Sequence, residues 1–247
     1  MQNSNLLWLF TAKNFVIAVI LTAALMLAMW FFNVPIIFDK VLIFSIIATI
    51  SGVAYLLTIR NPQNYFGFYL GILSSACLGM QFAFLGNYDL TFLYFAAFIP
   101  FQYAAIVNWK KKSLQKTDNE MFMPKFLPLK KQLFFLAILL IIIIIDYILA
   151  SFCLNSFKDK AFFDDFLIKI VFATMISSSI LANYLMIGKW LDTWLYWLLY
   201  SVSAIFSAII IQNNFNLLLF VFFLIINAIT FISWLTCLFR AKSKEQR

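Results

Sequence analysis

Eight apolar stretches of roughly 18–22 residues follow one another along this chain, each long enough to cross a hydrocarbon core of about 30 Å as a helix. They are Phe15–Phe32, Val41–Thr58, Tyr65–Leu85, Leu90–Trp109, Gln132–Phe152, Phe166–Leu185, Trp194–Ile211 and Leu217–Phe239. Nothing in that core can hydrogen-bond an open backbone, so runs of this length fold there as helices. Composition agrees: 64% hydrophobic, 11% charged and a mean hydropathy of +0.95 leave too few polar residues to cover a soluble surface. The expected fold class is an all-α polytopic membrane protein with eight transmembrane helices. The first run has no basic start and no small-residue cleavage site, and is read as a retained helix rather than a signal peptide.

The same composition removes whole classes of chemistry. Histidine is absent, and the only two glutamates, Glu120 and Glu245, lie outside the apolar runs. Histidine triads, His/Glu zinc sites and histidine proton relays are thereby excluded. Cys77, Cys153 and Cys237 stand singly, without paired spacing, and read as small apolar wall residues. No cofactor, metal or enzymatic activity is expected. The net charge of +8 does not point to nucleic acid, because the basic residues gather in loops.

Those loops set the sidedness. If Lys110–Lys131, with seven Lys, is cytoplasmic, alternation puts Lys13, Arg60, Lys189, Arg240, Lys242, Lys244 and Arg247 on the same face. Only Lys40, Lys158, Lys160 and Lys169 fall on the other, so fourteen of eighteen basic residues lie inside. Both termini are therefore expected to be cytoplasmic.

A weak internal repeat runs at an offset of about 125–129 residues. Gln102, with Trp109 seven residues later and a basic loop beyond, matches Asn227, Trp234 and Arg240, and Gly86–Asp89 matches Asn213–Asn216 as an outer turn. Each unit holds three helices, and two units in one orientation need a linker crossing between them. The organisation expected is a tail and extra helix over 1–40, a first three-helix repeat over 41–109 and a basic loop over 110–131. A linker helix with its outer loop follows over 132–165, then a second repeat over 166–239 and a tail over 240–247. Parallel repeats of this kind build transporters, with the substrate near mid-membrane where the units meet.

The polar residues inside the runs are the candidates for function. Trp194, Trp197 and Ser201, at i, i+3 and i+7, share one helix face. An interfacial belt accounts equally well for Trp190 and Trp194, but Trp197 lies deeper. Gln102 and Asn227 are amides at a depth where an unpaired amide is costly, and Trp109 and Trp234 stand on the same faces about two turns away. Pro100 removes a backbone hydrogen bond in mid-helix and is a candidate hinge. Asp146 lies in the linker, where Lys158 or Lys169 could pair with it, and neither repeat carries a carboxylate in mid-helix. That argues for a facilitator without ion coupling. The run Ser177–Ser179 with Ala182 and Asn183 reads as a close-packing face first and as a pathway lining by its hydroxyls second.

These features together resemble the PnuC family of bacterial vitamin transporters. The resemblance is carried by Lys189–Trp197, by Asn227 with Trp234, by the Asn64–Gly67 opening, and by the three-plus-one-plus-three plan. It covers Thr58–Trp109 and Met186–Arg240. It implies a SWEET-like plan, a homotrimer in the cytoplasmic membrane, and facilitated diffusion of nicotinamide riboside with trapping by a cytoplasmic kinase. The substrate-binding residues it implies are Gln102, Trp109, Trp194, Trp197, Ser201, Asn227 and Trp234. Relatives carry thiamine, riboflavin or deoxynucleosides, and this chain has Ser201 where the family motif WxxWxxxN has asparagine. The extra helix Phe15–Phe32 is similar to one that some members append. A tryptophan face suits a flat pyridinium cation, and amides and hydroxyls suit a ribose. Two rivals stand beside this reading. A membrane enzyme would need an acid/base pair that the chain lacks, and a vitamin-binding subunit of an energy-coupled ATP-driven transporter would be expected to lack the repeat.

Overall fold

The computed structural model of this chain describes residues 4–31, 40–86, 88–114, 124–153, 162–211 and 214–245. Helices there satisfy the backbone within each segment: α1 (Ser4–Phe31), α2 (Lys40–Ile59), α3 (Gly67–Phe84), α4 (Tyr88–Leu93), α5 (Ile99–Leu114), α6 (Leu129–Cys153), α7 (Phe162–Ile187), α8 (Thr193–Ile211) and α9 (Asn214–Glu245). A π-helical turn over Tyr94–Phe98 joins α4 to α5, so that Leu90–Lys111 is one spanning rod. Among the described residues, eight helical segments are long and apolar enough to cross a membrane, and they follow the eight runs of the sequence.

Helix α1 begins eleven residues before the apolar run that announced it, at Ser4 rather than Phe15. Thr11, Lys13 and Asn14 break the run in sequence, yet two of them turn inward. Asn14 Nδ2 donates to the Leu57 carbonyl at 3.2 Å, and Asn64 Nδ2 donates to the Leu7 carbonyl and to Thr11 Oγ1 at 3.2 and 3.1 Å. Thr11, Asn14 and Asn64 are all buried. Polar side chains that end a hydropathy window thus fasten α1 to the first unit, because paired amides cost little where unpaired ones cost much.

The two units are built alike: α2, α3 and α4–α5 form the first, and α7, α8 and α9 the second. Small residues let the helices of the first unit approach closely, and Ser74 Oγ donates across to the Ala48 carbonyl at 2.8 Å. Between the units the contacts are reciprocal, with α5 packed on α7 and α9 packed on α2. The linker α6 lies against α7, and Asp146 Oδ2 there accepts a hydrogen bond from Ser177 Oγ at 2.8 Å. Lys158, offered above as its partner, lies outside the described residues, as do Lys160, Asn87, Asn213 and residues 115–123 of the basic loop.

One departure from the repeat is local. The ring of Pro100 has no N–H and crowds the carbonyl four residues back, that of Ala96, which falls within the π-helical turn. The wider turn makes the accommodation, and the Ile99 N–H bonds back to the Tyr94 carbonyl instead.

Candidate functional site

Helix ends at the basic-loop side are tied together first. The turn after α7 runs through Lys189 in a left-handed conformation at φ 58°, and a Cβ on the preceding Gly188 would fall 2.3 Å from Trp190 Nε1. Asp192, buried in that turn, accepts from the Leu127 N–H at 2.7 Å and from Gln132 Nε2 at 3.0 Å. The segment before α6 is thereby strapped to the start of α8, and the Leu191 N–H donating to the Lys125 carbonyl at 2.9 Å completes the strap.

Above this end sit three fully buried indoles. Trp109 and Trp234 meet across the two units with ring centroids 6.0 Å apart, and Trp194 packs edge-on against Trp234 at 5.3 Å. Phe68 takes the equivalent place against Trp109 at 4.7 Å, also edge-on. The polar edges are exchanged between units. Trp109 Nε1 donates to the Met186 carbonyl at the end of α7, and Trp234 Nε1 donates to the Ile59 carbonyl at the end of α2, at 3.0 and 2.8 Å. Trp234 thus satisfies a carbonyl at a helix end, whereas the Met186 carbonyl is shared, since it also accepts from the Lys189 N–H at 3.1 Å. Lys189 Nζ stands 4.3 Å from the Trp109 ring centre. The result is a two-fold plug that closes the bundle on the side of the basic loop.

Beyond the plug the six helical rods of the two units enclose a cavity of about 280 Å³, with Leu85, Leu90 and Leu219 at the opposite end. That volume is near the lower end for small-molecule sites, about 300–1,000 Å³. Among the described residues its walls carry no charged side chain. Gln102, Trp197 and Asn227 line it, whereas Trp109, Trp194 and Trp234 belong to the plug and Ser201 is buried behind the wall. The seven residues grouped in the sequence therefore divide by depth into wall, plug and support.

The two amides are held alike. Gln102 Nε2 donates to Ser75 Oγ at 3.1 Å in the first unit, and Asn227 Nδ2 donates to Ser201 Oγ at 3.0 Å in the second. Their carbonyl oxygens have no partner among the described residues. Neither do Tyr55 Oη, Gln81 Oε1 and Trp197 Nε1, so that five orphaned polar atoms belong to residues around one cavity. Each such atom costs about 1–3 kcal/mol while buried and unpaired, a cost that a hydroxylated ligand would offset. Aromatic side chains line the cavity from both units, but the equivalent positions of α3 and α8 differ. Trp197 and Tyr200, 5.5 Å apart and edge-to-face, stand on the second unit, where the first has Gly71 and Ser74. A Cβ on Gly71 would come within 3.1 Å of Gln102 and of Tyr55, so the glycine keeps room for both.

Several wall residues were not singled out from the sequence. Ser179 and Asn183, read there as packing, line the cavity, and only Ser177 of that run turns to the linker. Tyr55 and Gln81 are large polar groups within apolar helices, and that was the available signal. Tyr94 and Phe98 reach the wall from the π-helical turn, for which the sequence offers only Pro100 as a clue.

Residues 42–236 match the model of a family described as nicotinamide mononucleotide transporters. Among solved structures, the crystal structure of the vitamin B3 transporter PnuC is similar, with a TM-score of 0.61 and 15% sequence identity over 94% of this chain and 92% of that one. At that identity the likeness speaks for the fold. No curated protein matches the chain.

Proposed function

We propose, since this chain belongs to the nicotinamide mononucleotide transporter family, that it carries a vitamin-type nucleoside across the cytoplasmic membrane by facilitated diffusion, with nicotinamide riboside as the substrate. The observation that carries this reading is the cavity wall, where residues with unpartnered acceptor oxygens meet aromatic rings and where, among the described residues, no side chain is basic. A phosphate would need Arg or Lys to replace its water. A riboside needs acceptors for its hydroxyls and a ring face for its pyridinium, and both are present. The nucleoside therefore suits the wall better than the mononucleotide of the family's description. A cytoplasmic kinase would then trap it by phosphorylation.

Transport in this reading has no ion coupling, because Asp146 is on the linker and outside the cavity wall. Proteoliposomes holding the purified protein should equilibrate labelled nicotinamide riboside without ATP and without sensitivity to a protonophore. Accumulation should require an enclosed kinase and ATP. Asp146→Asn should keep most of the rate. Uptake against the gradient, or mononucleotide transport as fast as that of the riboside, would overturn the proposal.

The orientation proposed places the plug, both termini and the basic loop on the cytoplasmic side, on the strength of the fourteen basic residues that alternation puts there. With the three native cysteines replaced, single cysteines at Asp118 and Glu245 should resist an impermeant thiol reagent in intact cells and react after lysis. Reaction of both in intact cells would reverse the assignment.

A further inference from the structure

The wall amides raise a question of polarity, since an asparagine can present either its carbonyl or its amino group to a ligand. Ser201 settles it for Asn227. The serine is fully buried and is not part of the cavity wall. Its hydroxyl donates to the Trp197 carbonyl one turn earlier, at 2.9 Å. A hydroxyl has one proton, so towards Asn227 the same oxygen can only accept. The amide must therefore send its Nδ2 to the serine, as it does at 3.0 Å, and Oδ1 is left as the group without a protein partner. The reverse orientation would set two acceptors against each other.

We propose that Ser201 is a positioning residue that never meets the ligand but fixes Asn227 as an acceptor towards the cavity, and so selects ligands that offer hydroxyl or amino donors there. The inference rests on the reading of the cavity as a nucleoside site. The first unit repeats the contact, with Gln102 Nε2 on Ser75 Oγ and Gln102 Oε1 unpartnered, though not the second hydrogen bond that commits the serine proton. In this reading both units offer an unpartnered carbonyl oxygen, and the site becomes a pair of acceptors. An asparagine at position 201 could donate as well as accept, and would leave the orientation of Asn227 undecided.

Threonine and valine share a shape and differ by the hydroxyl alone, which makes Ser201→Thr and Ser201→Val the informative pair. Binding would be measured by calorimetry on the purified full chain with nicotinamide riboside, thiamine, riboflavin and thymidine, using whichever binds the unmodified protein. Ser201→Thr should bind within about two-fold of the unmodified protein, and Ser201→Val should bind about ten-fold or more weakly, as expected when a buried amide loses its partner. In an Asn227→Ala background the two should bind alike, because the serine acts only through the asparagine. Should the added methyl prevent folding in both, Ser201→Ala gives the same contrast between the two backgrounds. Equal binding by the Thr and Val variants, or a difference that persists without Asn227, overturns the inference while leaving the nucleoside reading in place. Binding of none of the four compounds overturns both.

Discussion

Trp234→Ala should cost the folded protein about 3–5 kcal/mol, as a fully buried large ring removed from a close-packed site generally does. Three losses coincide there. The ring touches Trp109 at 6.0 Å and Trp194 at 5.3 Å between centroids, its Nε1 satisfies the Ile59 carbonyl at 2.8 Å, and the helices on either side cannot collapse without breaking the matching contact of the other unit. Trp234→Phe keeps most of the volume and loses the donor, and is expected to cost about 1–3 kcal/mol, the penalty for an orphaned buried carbonyl. Trp109→Phe should cost less, because the Met186 carbonyl that its Nε1 serves also accepts from the Lys189 N–H at 3.1 Å and is not orphaned. Phe239→Ala, on a ring that is 63% exposed towards lipid, is the control and should change little. Thermal unfolding in detergent measures all four. A Trp234→Ala variant as stable as Phe239→Ala would mean that the plug is not a structural element.

The plug also shows where sequence reasoning reached and where it stopped. Eight spans could be read because length alone decides whether a helix crosses lipid, and the repeat could be read because amide and tryptophan recur seven residues apart in both halves. Seven residues return to nearly the same helix face but climb about 10 Å. Face was therefore legible and depth was not, so Gln102 and Trp109 looked like members of one site although the structure sets one in the cavity wall and the other in the plug. The reciprocal bonds to Met186 and Ile59 depend on helix ends meeting across the units, which no periodicity within a helix records. Helix α1 was clipped for a related reason. Thr11 and Asn14 count as polar in a hydropathy window, yet long-range hydrogen bonds neutralise them. The π-helical turn was invisible because Pro100 announces a disturbance without saying which form it takes.

The same division by depth makes the cavity wall separable from the plug in experiment. Asn227→Ala, Gln102→Ala and Trp197→Ala should each weaken binding of the transported compound by about 1–3 kcal/mol, roughly five- to 150-fold in Kd. Their melting temperatures should fall far less than that of Trp234→Ala, since removing Gln102 or Asn227 also removes an orphaned oxygen that costs stability while no ligand is bound. Trp197 distinguishes stacking from hydrogen bonding. Phenylalanine keeps a ring face and loses Nε1, an atom with no protein partner, so Trp197→Phe should retain most of the affinity for a cationic ring if stacking dominates. If Nε1 instead donates to the ligand, Trp197→Phe should fall as far as Trp197→Ala. Trp194→Phe, in the plug and off the wall, should shift stability and leave the affinity of the folded protein within about three-fold, well short of the loss expected for a buried contact. Unchanged binding in all three alanine variants would remove the ligand from this cavity, and with it the reason for reading the orphaned oxygens as recognition groups.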